Sequence, residues 1–261
     1  MKALALAAAL LAPAIVAAQE LVTVPTRPGV TQSFLIPAME RKPEAIALLY
    51  IGGYGNINLR NEGGQIKFGQ NNFLPRARRE FMRNGILPVI LDTPSDARTG
   101  VGDEYRTGSE AQTTDARAVL AEVRKRYPGV PVYILTTSRS TISGAHLGRI
   151  LGDEIAGVVL SSSMFASPRG RWPVIHGFDF AAIKSRLLFV HHKEDSCPAT
   201  PYSFAATLGE RYPLISVSGG KPAESGPCDP FSAHGFFGKE APTVDAISAW
   251  MLQRPFAKSI E

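Results

Sequence analysis

The stretch Pro131-Val-Tyr-Ile-Leu-Thr-Thr-Ser138-Arg-Ser140-Thr-Ile-Ser-Gly144 decides how this chain is read. From Val132 to Thr137 it is apolar and β-branched, the composition of a strand buried on both faces. The run stops abruptly at Ser138. Small residues follow, and then Ala145, Leu147 and Ile150 recur at helical spacing. A strand that turns sharply into a helix at a serine lifts the hydroxyl to the carboxyl edge of a sheet, the placement of a nucleophile.

Similar apolar runs flank this one on both sides. Ala45 to Ile51 ends in Gly52-Gly53-Tyr54-Gly55, and Ile86 to Leu91 ends in Asp92-Thr-Pro94. Ile155 to Leu160, Leu187 to Val190 and Leu214 to Val217 read as further strands. Helical patterns lie between them, at Asn72–Asn84, Ser109–Tyr127, Tyr202–Tyr212 and Thr243–Leu252. Leu21–Val24 and Gln32–Ile36, around Pro28-Gly29, read as a leading hairpin. Strands alternating with helices imply an α/β fold, a mostly parallel sheet with helices on both faces. Ligands of such sheets sit at the carboxyl ends of the strands. Gly52–Gly55, Asp92, Ser138, Ser161–Ser163 and His191–Asp195 all fall there.

Residues 1–18 read as a secretory signal peptide. Lys2 opens it, Leu4 to Val16 is apolar, and Val16-Ala17-Ala18 precedes a cleavage point before Gln19. The apolar run is short for a membrane span, which needs roughly 20 residues. Residues 19–261 then form a single domain, exported to the periplasm or beyond, with no stable membrane insertion after cleavage. The formal charge of +5 is scattered along the chain. A nucleic-acid binder would carry a basic stripe with interleaved aromatics, and none is visible. The two cysteines, Cys197 and Cys228, are expected to pair in an oxidising compartment. A zinc set of His191, Cys197, Cys228 and His234 matches no usual ligand spacing, so neither a metal nor a cofactor is expected.

A serine needs a base to take its proton, and the base needs a carboxylate to orient it. In hydrolases built on a strand-to-helix serine, the order along the chain is serine, acid, histidine. Ser138, Asp195 and His234 offer that order at strand ends and in a loop before the last helix. Ser140 and Ser143 compete with Ser138 but lie inside the helix. Glu194 and Asp92 compete with Asp195, although Asp92 precedes Pro94 and reads as a shaper of its own loop. His146, His176, His191 and His192 compete with His234. His191 and His192 are adjacent on a strand and so face opposite ways. The oxyanion would be held by the Arg139 N–H and by the N–H of either Gly53 or Tyr54. A Cys197–Cys228 bridge would tie the acid loop to the histidine loop. Arg169, Arg171, Trp172 and His176 would rim the site. Arg76 and Arg78 would either be solvated or meet an acidic substrate group.

Leu135-Thr136-Thr137-Ser138-Arg139-Ser140-Thr141 stands where the α/β-hydrolase superfamily carries its G-x-S-x-G nucleophile elbow. The chain resembles that superfamily across nearly all of residues 19–261. With Asn72-Phe-Leu-Pro-Arg76-Ala-Arg78 and Thr93-Pro-Ser-Asp96 it is similar to an exported bacterial subgroup with a T-S-R-[GS]-T elbow. The resemblance implies the fold and the Ser-Asp-His triad. It implies a carboxylic-ester hydrolase acting through an acyl-enzyme on a small or extended ester. The alternatives are a peptidase or thioesterase with the same triad, or a binding protein that has lost turnover. Thr136 and Ser140 replace both elbow glycines. The short Ser163–Arg186 connection leaves little room for a lid.

Overall fold

The computed structural model describes residues 19–261, so the leader read at 1–18 lies outside the described residues. Its centre is a nine-stranded sheet. The strands are β1 (Glu20–Arg27), β2 (Val30–Ile36), β3 (Ala45–Tyr50), β6 (Ile86–Pro94), β7 (Val132–Thr137), β8 (Gly157–Ser161), β9 (Arg186–His192), β10 (Leu214–Val217) and β11 (Ser259–Ile260). They lie in the order β1-β2-β6-β3-β7-β8-β9-β10-β11. The leading hairpin β1–β2 is antiparallel, and β2 meets β6 antiparallel. From β6 to β11 every pairing is parallel.

The continuous apolar runs are explained by burial on both faces. Ile46 and Leu48 of β3, Ile134 of β7 and Phe189 of β9 face one core, with Val119 and Val123 of α4 (Glu110–Arg126) and Ile142 of α5 (Ser140–Leu151). Their sequence neighbours Ala47, Leu49, Leu135 and Leu188 face the other core. There they meet Phe81 of α2 (Arg78–Arg83) and Val244 and Trp250 of α7 (Glu240–Met251).

Some elements depart from the sequence reading. The helix expected over Asn72–Asn84 is two short ones, α1 (Phe73–Arg76) and α2, with a break at Ala77. Phe73, Leu74, Pro75, Ala77 and Phe81 are all buried. The backbone leaves helical geometry at Ala77, with φ −87° and ψ 12°. An exposed hairpin, β4 (Arg60–Glu62) and β5 (Gln65–Lys67), a short α3 (Asp103–Arg106) and the edge strand β11 carry almost no periodic signal. The helix after the acid loop, α6, ends earlier than expected, at Gly209 (Tyr202–Gly209). Between β8 and β9 the chain forms loops and one 3-10 turn, Phe180–Ala182, and no lid domain.

The strand order places the site. From β3 the chain crosses to β6 on one side, then returns to β7 on the other side of β3. The order reverses between β3 and β7, and ligands bind at such a switch point. Gly52 follows β3 there and Ser138 follows β7.

Candidate active site

Ser138 follows β7 directly with φ 55°, the left-handed region that costs a non-glycine residue strain. The turn is held on both sides. The Ser138 N–H donates to the Ser161 carbonyl at 2.9 Å, and the Thr141 N–H donates back to the Ser138 carbonyl at 2.9 Å. Arg139 stands just before the first residue of α5. Among the described residues its N–H and that of Gly53 donate to no backbone carbonyl.

Gly52 lies against this turn. A methyl group there would lie 2.9 Å from the Thr137 carbonyl oxygen, 3.1 Å from the Ser138 Cβ and 3.3 Å from the Asn72 Nδ2. Only glycine allows so close an approach. Gly52-Gly53-Tyr54-Gly55 closes as a turn, with the Gly55 N–H on the Gly52 carbonyl at 3.1 Å. Arg106 is fully buried beneath it and donates from Nη2 to the Gly53 carbonyl at 2.9 Å. Burial and the nearby Arg139 push its pKa down to about 10. No sequence pattern marks Arg106, because its role comes only from where α3 packs.

Asp195 and His234 meet across 39 residues of sequence. The Asp195 Oδ2 lies 3.0 Å from the His234 Nδ1, and the Asp195 side chain is 0% exposed. Its Oδ1 accepts the Cys197 N–H at 2.9 Å, and Oδ2 accepts the Thr200 hydroxyl at 2.8 Å. A carboxylate fixed in this way keeps the proton on Nδ1, which leaves Nε2 as an acceptor. His234 sits on the 3-10 turn Ala233–Gly235, capped by the Ser232 hydroxyl. The Ser162 hydroxyl donates to the His234 carbonyl at 2.8 Å. Arg76 donates to the Gly235 carbonyl at 2.7 Å and the Pro230 carbonyl at 3.2 Å, and it also engages Glu240 and the Asn71 carbonyl. Arg76 is therefore a clamp on the histidine loop, neither solvated nor free for a substrate. Arg78 is likewise engaged, with the Pro75 carbonyl and the Phe68 ring.

Ser138, His234, Gly52, Gly53, Asn72 and Cys228 line one open cleft of about 330 Å³. Asp195 lies behind His234. Tyr54 is 66% exposed and is not among the residues that line the cleft, although among the described residues its N–H, like that of Gly53, donates to no backbone carbonyl. Cys197 and Cys228 are joined as a disulfide, Cα–Cα 4.7 Å, which links the acid loop to the histidine loop. The bridge also dismantles the zinc set weighed from the sequence. Among the described residues no cluster of three His, Cys, Asp or Glu gathers for a metal.

The competing residues have other partners. Asp92 accepts the N–H groups of Ile57 and Leu59 as well as that of its neighbour Thr93, so it chiefly pins the loop after β3 and not, as expected, its own. Glu194 reaches His192 and the Gly219 N–H instead. His191 and His192 do face opposite cores. His191 stacks on Phe165 and takes the Ser163 N–H, while His192 packs towards Phe236. Burial pushes the His191 pKa down to about 3. His176 does not rim the cleft, because it packs edge-on against Phe204 in a separate apolar pocket. Trp172 stays near the elbow, with the Arg139 guanidinium 5.8 Å from its ring and 5.8 Å from that of Tyr54.

No protein-family model and no curated protein matches the sequence. Solved structures do match in shape. An α/β serine hydrolase without a lid from Xanthomonas campestris superposes with TM-score 0.57 at 16% identity, covering 93% of this chain and 97% of that one. Est1E from Butyrivibrio proteoclasticus, solved with ferulic acid bound, gives 0.62 at 13% identity, covering 89% and 98%. A cold-adapted esterase from an Arctic intertidal metagenomic library gives 0.54 at 14%, covering 90% and 93%. The fold is that of the α/β-hydrolases.

Within the α/β-hydrolase fold, Thr136 and Ser140, on either side of Ser138, both have a structural role. The Ser140 hydroxyl accepts the Thr137 N–H at 2.9 Å and lies 2.7 Å from the Tyr50 carbonyl, to which it donates. It pins α5 to the ends of β3 and β7. The Thr136 hydroxyl donates to the Val159 carbonyl at 3.0 Å. Space for the Thr136 side chain comes from the helix, where a methyl group at Gly144 would lie 2.7 Å from the Thr136 Cγ2.

Proposed function

We propose that the protein is a serine hydrolase that cleaves carboxylic esters through an acyl-enzyme on Ser138. The reading rests on one observation: a strained serine at a strand-to-helix turn shares a cleft with a histidine whose Nδ1 is held by a buried carboxylate. Ser138 Oγ attacks the ester carbonyl while His234 Nε2 takes its proton. The oxyanion that forms is held by the Arg139 and Gly53 N–H groups. Collapse breaks the bond to the alkoxide, which leaves with the proton from His234. Water then attacks the acyl group with the same base, releasing the carboxylic acid and restoring Ser138. Asp195 stabilises the imidazolium and fixes the ring.

The same machinery serves amides and thioesters. An ester is preferred because the similar structures include an esterase, and because the cleft is open enough for a small or extended ester. The Cys197–Cys228 bridge supports export to an oxidising compartment, in line with the leader read at residues 1–18. The test is labelling with a fluorophosphonate, alongside turnover of p-nitrophenyl acetate. Wild-type protein is expected to label at Ser138 and to hydrolyse the ester, and Ser138→Ala to do neither. Full activity in Ser138→Ala, or no labelling of folded, oxidised wild type, would overturn the proposal.

A further inference from the structure

We infer that Asn72 is a further catalytic residue whose side-chain amide donates to the oxyanion beside the two backbone N–H groups. The inference rests on the Ser138 reading above. Asn72 is the N-cap of α1, and its Oδ1 accepts the Leu74 N–H at 3.3 Å. This contact fixes the sense of the amide, so the NH₂ group must point the other way. It points towards Gly52. The position of a methyl group on Gly52 is 3.3 Å from Asn72 Nδ2 and 3.1 Å from Ser138 Cβ, so the amide nitrogen and the carbon that carries the nucleophile both pack against Gly52. Asn72 lines the cleft together with Ser138 and Gly53. Among the described residues its NH₂ has no hydrogen-bond partner, whereas the neighbouring Asn71 gives its carbonyl to Arg76.

An amide held by its own oxygen and free at its nitrogen is a preorganised donor, and such donors act where charge develops in the transition state. The acceptor end is tied into the fold, so the donor needs no reorganisation when the oxyanion forms. Arg76 reinforces the placement, since it grips the Asn71 carbonyl on one side and the histidine loop on the other.

The rival role for Asn72 is capping alone. Serine and aspartate cap a helix as well as asparagine does, but neither presents an NH₂ group. We expect Asn72→Ser and Asn72→Asp to unfold at temperatures close to the wild type. We expect kcat on p-nitrophenyl acetate to fall about a hundredfold in Asn72→Ser and further in Asn72→Asp, with KM within about twofold. The rate of fluorophosphonate labelling should fall with kcat. Wild-type kcat and labelling rate in both variants would assign Asn72 to capping and overturn the inference. Ser138→Ala run in parallel separates the two claims. If it is inert while Asn72→Ser keeps full activity, only the Asn72 role falls. If Ser138→Ala is as active as wild type, both fall.

Discussion

Ser140 stands where the pattern that the sequence resembles has glycine, yet its hydroxyl accepts the Thr137 N–H and donates to the Tyr50 carbonyl. Restoring the glycine should therefore do harm. Ser140→Gly removes both hydrogen bonds, each worth about 0.5–1.5 kcal/mol net. Urea unfolding is expected to show a loss of that order. Unchanged or improved stability would mean that Ser140 is a tolerated substitution and not a staple. Thr200 illustrates a different case. Its hydroxyl donates to Asp195 and lies 3.2 Å from His234 Nδ1, so it completes the acid's surroundings. Nothing about a threonine five residues after an aspartate announces this.

At the scale of elements, α5 lies over the sheet because Gly144 and Gly148 leave room for Thr136 and Val158. Gly144→Ala would drive a methyl group into Thr136 and Leu160, and overpacking of this kind costs about 1–3 kcal/mol. In a double-mutant cycle Thr136→Ala should recover part of the loss, since it removes the nearest carbon. Strict additivity of the two changes would disprove the contact. The helices and strands that bury side chains on a regular period were legible from the sequence: β3, β7, β8, β9, α4 and α7. So were the strand-end positions of Ser138 and Asp195, since strand ends follow from where apolar runs stop, and the place of His234 in the loop before the last helix. Elements set by tertiary contact were not legible. The break at Ala77 leaves no mark on the helical spacing, the β4–β5 hairpin buries almost nothing, and Arg76 reads as a surface cation although it grips the histidine loop.

For the whole molecule, the Cys197–Cys228 bridge closes 31 residues of chain that include α6 and β10. In the chain-entropy account, closing a loop of that length stabilises the fold by about 3–4 kcal/mol. Reduction should lower the unfolding midpoint accordingly and weaken ester turnover, because both joined loops carry proposed catalytic groups. Reduced protein with unchanged stability would show that the bridge constrains nothing. Acid should act on the fold through its histidines. His191, His192 and His146 all have pKa values lowered chiefly by burial, and that of His191 falls to about 3 from the usual 6.5. The unfolded chain therefore binds more protons as pH drops. Their contribution to stability is complete above about pH 6.5 and is lost as pH falls below it, by up to about 1.4 kcal/mol per pH unit for His191 alone. Chemical denaturation from pH 7 to pH 4 should show this slope, and His191→Gln should flatten it. An equally steep acid limb in that variant would place the sensitivity elsewhere.

The short strand β11 shields one edge of the sheet. Its Ser259–Ile260 backbone covers the outer edge of β10, with the Ser216 N–H on the Lys258 carbonyl at 2.9 Å and the Ser218 N–H on the Ile260 carbonyl at 2.8 Å. Without these residues Leu214–Val217 would present a naked ladder of donors and acceptors, which is a template for association between copies. Removing residues 258–261 should thus turn a question of folding into one of colloidal behaviour. Sedimentation should show concentration-dependent oligomers of a correctly folded domain. If the shortened chain sediments as the full-length chain does, those last residues are not what keeps the sheet edges apart.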